Sequence, residues 1–215
     1  MEALAAEGLP IVDVEIPMKP NGLVVDENVF SALSAECEKI IDTRQRLPDF
    51  VFRRRFAKYF AIEYAHIYKK EFAAFLFSLS NIFGDESVNY MTLDPSPEDS
   101  GYRRRSYFGL ASFEPSSLVQ KYVPTLFRDQ KDSKILVGVN VGAFWGSSLQ
   151  WAIFCDRKSW EMSVIALPEN IDVPEISGFR CWNASEVSSY MKSQYHWKLA
   201  TALEFNEKFL ANYPL

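Results

Sequence analysis

Glu63 and His66 set a carboxylate and an imidazole three residues apart, a spacing that places both on one face of a helix. Two such Glu-x-x-His motifs, with two further glutamates from neighbouring helices, build a di-iron carboxylate centre. The second copy is missing here, because the residue three before His196, the only other histidine, is Ser193. An ordinary helix histidine is therefore expected, with no metal and no cofactor. Cys155 and His196 offer a thiol and an imidazole, but a nucleophilic thiol needs a positive, partly open environment to lower its pKa. Among Trp151, Ile153 and Trp160, Cys155 reads instead as a small hydrophobe, and Cys37 does the same on an apolar helix stripe. Asp156-Arg157-Lys158 spells the Asp-x-Lys that some metal nucleases carry at a strand end, yet hairpin turns favour Asp, Lys and Ser anyway. No Gly-x-Ser-x-Gly, Gly-x-x-x-x-Gly-Lys-Ser/Thr or Gly-x-Gly-x-x-Gly occurs. No catalytic residue is assigned.

Two arginine triplets, Arg53 to Arg55 and Arg103 to Arg105, could grip phosphate or carboxylate groups bidentately if they met. On a strand, Arg103 and Arg105 share a face with Tyr107. At a helix start, Arg53 to Arg55 fan around the axis and form no patch alone. The simpler reading leaves both triplets solvated and paired with Glu86, Glu98 and Asp99. Loop-side aromatics complete the candidates, since Trp and Tyr dominate binding hot spots. Trp145, flanked by Gly142 and Gly146, and Trp160, at a hairpin end, have the best claim to exposure, ahead of Trp182. The candidate binding set is thus Arg103, Arg105, Tyr107, Trp145, Asp156, Trp160 and Glu161.

The elements that must position these groups follow from hydrophobic spacing. Residues 1–26, with Pro10, Pro17 and Pro20, read as an irregular lead-in. Asp26 can cap a helix from Glu27 to about Arg46, with Val29, Leu33, Cys37, Ile40 and Ile41 on one face. From Asp49 to Phe83 the spacing of Phe56, Phe60, Tyr64 and Ile67 is again helical. A single rod of that length would run to about 50 Å, so a bend near Lys69 to Glu71 is expected. Residues 72–83 are the most apolar and should be buried. Strands are expected at 87–93, 102–113 and 135–141, the first two paired. A short helix should follow Ser116 or Ser117, and 142–148 should turn. Residues 149–167 read as a hairpin with its loop at 156–159. That register would put Trp151, Ile153, Cys155, Trp160, Met162 and Val164 on one side, and Gln150, Asp156, Glu161 and Ser163 on the other. Residues 184–213 read as two helices split near Ser193 to His196. The fold class expected is a single α+β domain over residues 1–215. It comprises the lead-in, a helical part at 27–83, mainly strands at 87–167, and helices at 184–213. A central antiparallel sheet of about four to six strands would carry the C-terminal helices on one face.

Composition bounds the function. Hydrophobic residues make up 48% of 215, enough for a substantial core. A net charge of -5 disfavours non-specific nucleic-acid binding and suits a partner with a basic surface. Three scattered cysteines form no disulfide framework, so a reducing, cytoplasmic setting is expected. The first residues hold neither a basic start nor an apolar core, and residues 72–83 are too short to span a bilayer, so neither secretion nor membrane insertion is expected.

The hairpin segment Gln-Trp-Ala-Ile-Phe-Cys-Asp-Arg-Lys-Ser-Trp-Glu-Met-Ser-Val-Ile-Ala, residues 150–166, resembles one recurring in small acidic bacterial proteins, among them immunity proteins encoded beside toxins. The resemblance implies a non-enzymatic partner-binding protein and carries over no functional residue. The leading expectation is a bacterial, cytoplasmic protein-binding module that acts on a protein partner. The rival is an enzyme or ligand-binding domain for an anionic small molecule, using the arginines with Asp156, Glu161 or His196 as acid–base groups. A structural homodimer built through the aromatic helix is the third reading.

Overall fold

A computed structural model describes residues 22–24, 26–96, 109–126, 139–171, 173–174, 178 and 180–215. Six strands form one antiparallel sheet: β1 (Lys58–Glu63), β2 (Val88–Asp94), β3 (Leu110–Phe113), β4 (Val141–Gly146), β5 (Ala152–Asp156) and β6 (Met162–Leu167), in the order β1-β6-β5-β4-β2-β3. Five α-helices cover it, so the class is α+β. The described helices are α1 (Glu27–Ile40), α2 (Lys70–Phe83), α3 (Pro115–Leu126), α4 (Ala184–Gln194) and α5 (Leu199–Asn212).

The central strands are buried at every position of β4, β5 and β6, which is why they read as continuous apolar runs. Their side chains alternate between two cores. Ala143, Trp145, Phe154, Met162 and Val164 pack with Cys37 and Ile40 of α1, Val187 and Met191 of α4, and Phe205 and Phe209 of α5. Phe144, Ile153, Cys155 and Ile165 point the other way, onto Phe72, Phe75 and Leu79 of α2 and Leu118 and Tyr122 of α3. The C-terminal helices thus share one face, as expected, and α2 and α3 supply a layer on the other.

Local chemistry sets the helix ends. The Asp26 carboxylate accepts from the N–H groups of Asn28 (2.8 Å) and Val29 (3.0 Å), capping α1 as its position predicts. Asn183 and Glu186 form a reciprocal capping box on α4. Helix α1 stops at Ile40 rather than near Arg46, because Ile41 pairs with Phe52 across a short loop. The split near Ser193 to His196 is present, with a 3-10 turn (His196–Lys198) between α4 and α5.

Three expectations are corrected. Residues 58–63 are strand β1, not helix; the i, i+4 aromatics mimic a helical stripe, but pairing with β6 buries Tyr59 and Ala61 on one core and Ile62 on the other. The stretch 142–146 is strand β4, not a turn. Gly142 is there because a Cβ would come within 2.5 Å of the Tyr90 hydroxyl oxygen. The hairpin loop spans 157–161 instead of 156–159. Asp156 pairs with Met162 and Cys155 with Ser163, so Ile153 and Cys155 face one core while Met162 and Val164 face the other. With both faces buried, no polar face marks the register in sequence.

Neither rim of the sheet is bare. Leu23 bridges to Ala111 beside β3, where Ser112 N–H donates to Gly22 (2.7 Å) and Val24 N–H to Leu110 (3.0 Å). Trp182 bridges to Ala61 of β1, donating its N–H at 2.7 Å. The C-terminus is tied in by Tyr213, whose hydroxyl donates to the Asp49 carbonyl (2.6 Å) and accepts from Val51 N–H (2.8 Å) inside the first core. Tyr213→Phe is expected to cost about 1–2 kcal/mol, because a buried Val51 N–H loses its acceptor. Urea denaturation checks it; an unchanged midpoint would show that these bonds add nothing.

Candidate functional site

The structure gathers three of the candidate binding residues, Asp156, Trp160 and Glu161, around the 157–161 loop. Asp156 ends β5 and is fully buried. Its Oδ1 accepts from Ser159 N–H at 2.9 Å, closing the turn, while Oδ2 has no hydrogen-bond partner among the described residues. Burial raises this carboxyl from the ordinary 3.8 to about 6, against the lowering effects of the Ser159 N–H and the Arg46 guanidinium. Trp160 is half-buried rather than displayed. Its ring lies 4.0 Å from that of Phe205, and its indole N–H donates to the Leu47 carbonyl at 2.9 Å.

Glu161 is exposed and left-handed, at φ 51°, an unusual conformation for a residue with a side chain. Its carbonyl is held by the N–H of Tyr64 (2.9 Å) and the hydroxyl of Tyr190 (3.4 Å). Because Glu63 pairs with Met162, the next residue, the Glu63 and Glu161 backbones end side by side at this corner. A cleft of about 180 Å³ opens there, lined by Glu63, Tyr64, Ala65, Tyr68, Arg157 and Glu161. The Tyr64 and Tyr68 rings meet edge to face at 5.6 Å.

Trp145 is corrected outright. It is fully buried in the first core, at the end of β4 away from Asp156, so it offers no surface. Arg103, Arg105 and Tyr107 lie outside the described residues. Arg53 to Arg55 sit in an irregular segment before β1, not at a helix start. Arg53 pairs with Asp42 at 3.5 Å, Arg54 donates to the Leu149 carbonyl, and Arg55 lies 5.4 Å over the Phe50 ring. Arg54 and Arg55 also line a cleft of about 320 Å³ with Gln150 and Glu169.

The remaining reactive groups are dispersed. Cys155 faces the second core, and burial lifts its thiol to about 12, Ser163 opposing slightly. His196 is exposed beyond α4 on the other side of the sheet, its Nδ1 3.1 Å from the Ser193 carbonyl. Glu63 ends a strand and His66 lies in a 3-10 turn (Tyr64–Tyr68), so the motif is not on an α-helix. Burial and Lys69 hold His66 below its ordinary pKa, with Glu63 opposing. Among the described residues, no group of three or more His, Cys, Asp or Glu could hold a metal ion, and no helix is long and apolar enough to cross a membrane.

One surface feature escapes the sequence reading. Trp197 is 64% exposed, Leu199 49% and Leu203 48%, in the 3-10 turn and the first turns of α5. Leu199 and Leu203 share a helix face, and the Lys198 ammonium lies 4.6 Å from a Trp197 ring centroid. Tyr195, two residues earlier, donates its hydroxyl to the Ser159 carbonyl at 2.6 Å, tying this apolar corner to the 157–161 loop. The signal was the aromatic in the helix break itself, masked by the helical periodicity on either side. Among the described residues, the other exposed large apolar side chains are Val29, Tyr68, Ile82 and Val119. No family model, curated protein or solved structure matches the chain.

Proposed function

We propose that this chain is a non-enzymatic, cytoplasmic protein-binding protein that docks its partner through the Trp197–Leu199–Leu203 corner, with the 157–161 loop at its rim. The exposed tryptophan carries the reading: tryptophan is enriched at binding hot spots, and Leu199 and Leu203 add exposed apolar area close by in the chain. The acidic balance of the chain, -5 overall, suits a partner with a basic surface. The hairpin at 150–166 suggests the specific form, a bacterial immunity-type module that neutralises a toxin. The buried thiols and dispersed imidazoles fit a scaffold more readily than a reactive centre.

The test is to capture the partner from cells that express the chain natively, then reconstitute the pair from purified components. Trp197→Ala should weaken the complex about 30-fold, the size of a hot-spot truncation of about 2 kcal/mol. Val119→Ala, on the opposite helical layer, should leave it unchanged, and association should slow with added salt. An equally tight Trp197→Ala complex overturns the reading. So does light scattering that shows a dimer which the same substitution dissolves, since the corner would then be a homodimer seam.

A second reading keeps one specific support. The Arg54 and Arg55 cleft of about 320 Å³ has the size and sign for a small anionic ligand. Inorganic phosphate titrated against the wild type and Arg55→Ala distinguishes it.

A further inference from the structure

We infer that the cleft between Glu63 and Glu161 is a socket for a guanidinium group, supplied by an arginine side chain on the basic partner. This rests on the partner-binding reading above, and it assigns chemistry to a site that reading leaves undefined.

The lining supplies two carboxylates, one guanidinium and two tyrosine rings: Glu63, Glu161, Arg157, Tyr64 and Tyr68. Negative charge therefore exceeds positive by one at the cleft. Both carboxylates lie close enough to Tyr190 to push its phenol above the ordinary range, after burial itself. Carboxylates offer bidentate acceptors to a planar guanidinium, and a tyrosine face stacks on it; Tyr68, 37% exposed, is the one that presents surface here. A compact ammonium gains less from such walls.

Size narrows the ligand further. Pockets that swallow a whole small molecule run to about 300–1,000 Å³. At about 180 Å³ this cleft is smaller, and fits a head group on a tether better than a free metabolite. The walls are also built rather than incidental. Tyr64 is 3% exposed and anchored in the second core, while the left-handed Glu161 is pinned through its carbonyl by Tyr64 and Tyr190. Position completes the case. The same loop that carries Arg157 and Glu161 is hydrogen-bonded to Tyr195, two residues before Trp197, which links the socket to the proposed docking corner.

The probe is butylguanidinium chloride, titrated into the full chain at low salt and followed by NMR, with butylammonium chloride beside it. Saturable shifts confined to the cleft are expected in the millimolar range, weakened at least fivefold by Glu161→Gln and by Glu63→Gln, because each removes one charge-assisted acceptor. Arg157→Gln should tighten binding, since it removes the competing positive charge. Butylammonium should bind at least fivefold more weakly. The absence of saturable shifts, or equal affinity in Glu161→Gln and Glu63→Gln, overturns the site; equal affinity for butylammonium overturns the guanidinium assignment. Failure here is separable from failure of the partner reading. Trp197→Ala leaves butylguanidinium binding intact, whereas Glu161→Gln weakens it at least fivefold with or without a partner.

Discussion

Asp85→Asn is expected to destabilise the fold by about 3 kcal/mol, nearly as much as Asp85→Ala, despite its matching shape. Asp85 is almost fully buried just after α2, and its two carboxylate oxygens serve two donors. Ser148 N–H reaches Oδ1 and the Trp151 indole N–H reaches Oδ2, each at 2.7 Å. An amide has one acceptor oxygen, so its NH₂ would confront whichever donor it faces. Hydrogen bonds to a charged acceptor contribute about 1.5–3 kcal/mol each, and an orphaned buried donor adds its own desolvation penalty. At about 2–4 °C per kcal/mol for a chain of this size, melting should fall by about 6–12 °C. Gly146 belongs to the same clamp, because a Cβ on it would overlap the Asp85 carboxylate. Gly146→Ala should therefore destabilise too, and combining it with Asp85→Asn should cost less than the sum. Denaturant titration of the four species decides it. An Asp85→Asn midpoint close to the wild type would mean that the two donors find other acceptors.

Asp156→Asn is expected to do the opposite and stabilise the chain at pH 7.5, by about 1–3 kcal/mol. Burial holds this carboxyl's pKa at about 6 in the folded state, against an ordinary 3.8. Between those values the folded chain keeps a proton that the unfolded chain releases. The Asp156 contribution to wild-type stability should therefore fall as pH rises from about 4 to about 6 and level off above, at about 1.4 kcal/mol per pH unit of displacement. Asparagine carries no charge to bury and can still accept from Ser159 N–H, so the variant's profile should lose that slope. The two proteins should be equally stable near pH 4 and diverge above it. Parallel profiles, or a variant less stable at pH 7.5, would falsify the assignment of the slope to Asp156.

The sequence made some features legible and hid others for physical reasons. The Asp26 cap and the break between α4 and α5 rest on local chemistry, and local chemistry is written in the order of residues. Strand β1 was hidden because Phe56, Phe60 and Tyr64 satisfy a helical period, and only contact with β6 selects the extended form. The 157–161 loop was misplaced because residues on both faces of β5 and β6 are apolar, leaving nothing to fix which side faces where. Trp145 looked exposed for its flanking glycines, but Gly142 makes room for Tyr90 and Gly146 for Asp85. Asp156, Trp160 and Glu161 are neighbours in one hairpin by sequence alone, but their burial is not legible there: Asp156 is buried, Trp160 half-buried and Glu161 exposed. The Trp197 corner left only a weak trace, an aromatic in the break between two helices. Exposure is a property of the packed chain, and a tryptophan between two helices looks the same whether it is covered or bare.

The short bridges at Leu23 and Trp182 have a consequence for the behaviour of the protein at high concentration. Outer strands of a flat, apolar sheet invite another molecule's backbone to continue the ladder, the route to fibrils and runaway polymerisation. Each of these bridges occupies backbone groups on one outermost strand, β3 or β1, that an incoming chain would otherwise use. A sheet this greasy on both sides thus has part of each outermost strand occupied before a second molecule arrives.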